Sequence, residues 1–78
     1  EIEGKDLLVY PNPTSNTITI QSDDPIFNEF QIYDQLGRAV HRSQLSGYFT
    51  EIDLSHLSQG SYIILVNDTY KPVFFIKN

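Results

Sequence analysis

The stretch Leu7–Ile20, LLVYPNPTSNTITI, decides how this chain folds. An apolar run meets two prolines and two asparagines, and a second run then alternates apolar with polar residues. Pro11 and Pro13 each hold φ at about −65° and push Tyr10 and Asn12 out of helical space, so the segment is extended and stiff. Neither proline can donate to a ladder, which ends the first strand at Tyr10. Asn12 and Asn16 carry amides able to satisfy the freed backbone groups. Beyond them, Ile18 and Ile20 share one face while Thr17 and Thr19 take the other, the pattern of a half-buried strand. The expectation is a rigid corner that carries the chain from one sheet to another.

The rest of the chain follows the same grammar. No window repeats apolar residues at helical spacing beyond one turn, whereas short β-rich runs alternate with turn signals. Seven strands are predicted, at 6–10, 16–22, 28–34, 38–43, 47–54, 61–67 and 69–77, in an all-β sandwich or barrel. In NEFQIYD, Phe30 and Ile32 face one way, and Gln31 and Tyr33 the other. In DQLGR, Asp34 opens a turn by capping its own backbone and Gly37 supplies the positive φ of the exit. SYIILVN and KPVFFIK are more continuously apolar, which predicts strands nearer the sandwich centre. Asn67-Asp68 between them must hold a left-handed hairpin geometry that both residues tolerate. LSQGSY has the form of a tyrosine corner: Leu57 in the core, Gly60 in a tight turn, and Tyr62 with its hydroxyl turned back to upstream backbone.

Composition narrows the function. Seventy-eight residues make one small domain, and a chain of this size buries only ~60% of its unfolded surface. With no cysteine and no histidine cluster to staple it, five Phe and five Tyr must supply much of the buried area. Ten acidic against five basic residues give a net charge of −5, which disfavours nucleic acid and anionic membrane surfaces as partners. IILV and VFFI are too short to span a bilayer. The opening EIEGKD, in a chain without methionine, reads as part of a longer protein, with residues 1–5 as a linker remnant and 6–78 as the domain.

Catalytic patterns are missing. Ser55 and His56 are neighbours and would point to opposite faces of a strand, and His41 and His56 read as solvated histidines. Asp23-Asp24 before Pro25 reads as a turn, and Asp23, Asp24 and Asp34 are the acidic residues available to a Ca²⁺ site, which needs six to eight oxygens. The four glycines are too dispersed for a phosphate loop. Asn67-Asp68-Thr69 fits an N-glycosylation acceptor but sits where turn chemistry demands the same residues. No enzymatic activity and no cofactor are expected.

Four segments stand in a telling order: VYPNPTSNTITI, QIYDQLGRAV, IDLSHLSQGSYIILV and the closing KPVFFIKN. Together they resemble the type A C-terminal sorting domain of the type IX (Por) secretion system of certain Gram-negative bacteria, over residues 7–78. The resemblance implies a seven-stranded Ig-like antiparallel β-sandwich of Greek-key type, covalently part of a larger cargo protein. It implies an address read by an outer-membrane translocon after passage through the periplasm. Removal by a sortase-like protease follows, with the cargo secreted or held at the cell surface.

The family motif falls on Pro11, Asn12 and Pro13, on Asp34, Gly37 and Arg38, on Leu57, Gly60 and Tyr62, and on Lys71 and Lys77. Of these, Pro11, Asn12, Pro13, Arg38, Lys71 and Lys77 are the candidate translocon contacts, the last three as exposed cations on an acidic module; Asp34, Gly37, Leu57, Gly60 and Tyr62 are structural. Two departures occur in the tail. Pro72 follows Lys71 and places that end of the strand at a sheet edge or bulge, and Asp68 stands where the last hairpin usually has glycine. Cleavage is expected before Asp6. The competing readings are a carbohydrate- or protein-binding sandwich module, with Tyr48, Phe49 and Tyr70 as candidate platform aromatics, and an inert spacer.

Overall fold

The computed structural model describes residues 4–67 and 69–78. Seven strands form, β1 (Leu8–Tyr10), β2 (Thr17–Ile26), β3 (Glu29–Tyr33), β4 (Ala39–Gln44), β5 (Gly47–Asp53), β6 (Gly60–Leu65) and β7 (Val73–Lys77). They make a three-stranded sheet in the order β1-β2-β5 and a four-stranded sheet in the order β4-β3-β6-β7. Every ladder is antiparallel. This is the all-β, Ig-like, Greek-key sandwich expected, with β5 returning to lie beside β2.

The alternating residues meet between the sheets. Ile18 and Ile20 of β2 face Phe30 and Ile32 of β3, Ile64 of β6 and Phe75 of β7, all at most 2% exposed. Leu54 and Leu57 close the core from the β5–β6 connection. With no disulfide, this single cluster of aliphatic and aromatic side chains supplies the hydrophobic stabilisation of the domain.

Three expectations change. The PNP corner does not carry the chain across, because β1 pairs with β2 in one sheet, Tyr10 opposite Thr19. The corner instead bulges out of that sheet and docks on the other. Asp23-Asp24-Pro25 is no turn: β2 continues through it, with its register against β5 shifting between Gln21 and Ile26. The continuous apolarity of β7 does not mark a central strand. It is an edge strand, with Phe75 buried while Phe74 is 70% exposed. It also starts late, at Val73, because Pro72 has no N–H for the ladder.

Residues 69–71 leave the sheet for a different partner. Lys5 N–H donates to Thr69 C=O at 2.7 Å and Lys71 N–H to Lys5 C=O at 2.9 Å. Lys5, assigned to a linker remnant by sequence, is thereby tied to the domain. The hairpin geometry expected at Asn67-Asp68 involves Asp68, which lies outside the described residues.

Candidate functional site

The four sequence landmarks come together around β7 and the end of the sandwich where it finishes. The corner lies along the outer edge of β7. The Asn12 amide Nδ2 donates to Phe74 C=O at 3.2 Å, and its Oδ1 accepts from Ile76 N–H at 3.0 Å. Two residues on, Thr14 N–H donates to Ile76 C=O at 2.9 Å and Asn78 N–H to Thr14 C=O at 2.8 Å. An asparagine side chain and a short backbone segment thus replace a neighbouring strand, and an edge open to pairing is closed. The Tyr10–Pro11 and Asn12–Pro13 bonds are both cis. Thr14 is buried, and its hydroxyl donates to Thr17 C=O at 2.5 Å, fixing the return into β2.

The β3–β4 turn is built by Asp34. Its carboxylate accepts from the N–H groups of Leu36 and Arg38, at 2.9 and 3.0 Å, and from Arg38 Nε at 2.8 Å. The backbone hydrogen bond from Arg38 is the main cause holding the Asp34 carboxyl below its usual range, despite an opposing desolvation. Gly37 closes the turn at φ +80°, where a side chain would be strained. Arg38 remains exposed, spending its Nε on its own turn.

The β5–β6 connection repeats the device. Asp53 Oδ1 accepts from Ser55 N–H at 2.9 Å, and Leu57 N–H donates to Leu54 C=O at 2.9 Å. The hydrogen bond from Ser55 N–H is the main cause lowering the Asp53 pKa. The tyrosine corner forms as expected. Tyr62 Oη donates to Ser58 C=O at 2.5 Å, and its ring stacks on Phe75 with centroids 5.5 Å apart. The two turns face each other across an open groove of about 490 Å³ whose lining includes Asp34, Arg38, Leu57, Gly60 and Tyr62. Motif residues far apart in sequence therefore share one surface.

Two of the candidate cations behave unlike the third. Lys77, expected to be exposed, is buried at 9% exposure, and its Nζ donates to Leu57 C=O at 2.5 Å. Its position explains this: Lys77 follows Phe75 on the inward-facing side of β7, at the sandwich end where the Leu57 carbonyl accepts its ammonium. Lys71 is exposed, with Nζ 3.4 Å from Asp6 Oδ1. Pro11, Asn12 and Pro13 are exposed on the groups they do not spend on β7.

His41 differs from the solvated histidine expected, whereas His56 is exposed as expected. His41 Nδ1 and His56 Nε2 are 3.0 Å apart, and the half-buried His41 ring lies 5.7 Å from Phe30. Burial is the larger cause lowering the His41 pKa, and the neighbouring His56 the smaller. Neither residue's sequence neighbours reveal this contact, which depends on the β5–β6 turn folding over β4. Asp34 is committed to its turn and Asp24 to Lys5 at 2.8 Å. Among the described residues no group of three or more His, Cys, Asp or Glu gathers to hold a metal ion.

An Ig-like sandwich whose landmark residues gather around the edge and end of its last strand defines the class. The sequence profile of the family described as "Secretion system C-terminal sorting domain" matches residues 8–75, and the chain belongs to that family. No curated protein and no solved structure matches it. The chain is thus a C-terminal sorting signal of type IX secretion, part of a cargo protein that this system exports out of the cell or to its surface. The alternative of a carbohydrate- or protein-binding module has no support from these comparisons.

Proposed function

We propose that the domain acts as an address and not as a catalyst. In this reading it arrives folded in the periplasm, is recognised by the outer-membrane translocon, and is then removed by a sortase-like protease. The observation that carries the reading is the convergence of the corner, both turns and the buried lysine on β7. A receptor of many cargoes needs a surface that does not depend on what precedes it, and a pre-ordered surface loses less entropy on binding. Arg38 and Lys71 are the exposed cations that would orient an acidic module on its receptor.

The test is a fusion of residues 1–78 to a periplasmic reporter in a host that carries this secretion system. Surface appearance of the reporter, lost when residues 71–78 are deleted, is the expected outcome. Retention of the intact fusion in the periplasm would refute the address. Charge reversal of Arg38 and Lys71, in a domain that still unfolds at its normal midpoint, should slow export if these cations meet the receptor.

A further inference from the structure

The segment before β1 is built into the domain more firmly than a linker requires. Lys5 uses both of its backbone groups, donating to Thr69 C=O and accepting from Lys71 N–H in a parallel bridge centred on Tyr70. Gly4 lies so close to this partner that a Cβ there would stand 3.1 Å from Lys71 Cγ, 3.2 Å from Lys71 N and 3.3 Å from Thr69 O. Leu7 is buried, Lys5 Nζ meets Asp24, and Lys71 Nζ reaches Asp6. Backbone, packing and charge thus hold the same few residues.

We infer that this clasp sets the limit of endopeptidase processing: bonds from Gly4 to Leu7 are withheld in the folded domain, and cutting falls upstream of Gly4. Hydrolysis consumes one water, its hydroxyl going to the carbonyl carbon and its proton to the leaving amine. To present a bond for that step, a protease binds several residues as an extended strand, pairing with their backbone N–H and C=O groups. At Lys5 those groups already pair with residues 69 and 71, so access requires local opening of the clasp. The expected cleavage before Asp6, in the linker, is therefore confined to the part of the chain upstream of Gly4. This rests on the sorting reading only for the existence of a processing protease; the protection belongs to the fold.

Digestion of the folded chain by an endopeptidase that cuts before aspartate reads the protection directly. The Lys5–Asp6 bond should survive at least about tenfold longer in the folded protein than in the denatured one. Gly4→Val, which cannot keep the close approach, should restore most of the cleavage while the unfolding midpoint of the remaining domain changes little. Lys71→Pro, which deletes the N–H given to Lys5, should do the same by a different route. Equal cleavage of folded and denatured chain, or no acceleration in either variant, overturns the inference. In a secreting host, a released domain beginning at Asp6 or Leu7 would overturn it too. A domain never released would defeat the protease reading while the digestion result stood.

Discussion

Tyr62 turns a sequence signature into a measurable contact. Its ring is buried against Phe75 and only its hydroxyl has a directional task, the bond to Ser58 C=O. Tyr62→Phe keeps the ring and deletes that bond, so it should cost about 1 kcal/mol in denaturant unfolding. An unchanged midpoint would remove the tyrosine corner from the explanation of this fold. The corner was legible in LSQGSY because its partner lies four residues upstream, and the same locality made Asp34 and Gly37 legible in DQLGR. Lys77 and His41 were not legible. What buries them, Leu57 C=O and the Phe30 and His56 rings, comes from other parts of the chain.

At the scale of elements, β7 separates what pattern reveals from what pairing decides. Its apolar run predicted a strand nearer the sandwich centre, but each of the two sheets packs only one face on the core, so alternation governs. Phe75→Ala should cost about 3–5 kcal/mol, as for a large side chain removed from a packed core. Phe74→Ala, one residue away and pointing outward, should cost less than about 1 kcal/mol, mainly its cross-strand pair with Ile63. Similar losses at both positions would contradict the assigned faces. The corner on the free edge makes a different claim. In Asn12→Ala the Ile76 N–H loses its acceptor, so its hydrogen exchange should accelerate, with about 1 kcal/mol lost overall. Unchanged protection at Ile76 would mean that the asparagine does not substitute for a strand. The prolines announced a stiff corner in the sequence, but its docking site is more than 60 residues away and depends on both sheets closing.

For the whole molecule, the question is how stability responds as pH falls, since several titrating groups pull in different directions. The net charge of −5 diminishes on acidification, which relieves self-repulsion and favours the folded state. His41 opposes this. Its folded pKa lies below the ordinary 6.5 because burial against the core and the adjacent His56 disfavour the imidazolium. The unfolded chain therefore binds a proton more readily than the folded one. The His41 contribution is present above pH 6.5 and is lost as pH falls through the depressed folded value. Asp34 and Asp53 are also lowered, but their stabilisation is lost only below the ordinary carboxylate value of 3.8. Between about pH 7.5 and pH 5 the shift at His41 therefore acts without theirs. Wild type should lose stability over that interval relative to His41→Gln, which cannot take up the proton. Comparing the two proteins cancels the general charge effect, because they differ at one titrating site. Parallel curves would show that the His41–His56 contact carries no proton linkage, and a loss of stability that both proteins share only below about pH 4 would assign the acid sensitivity to the aspartate-capped turns instead.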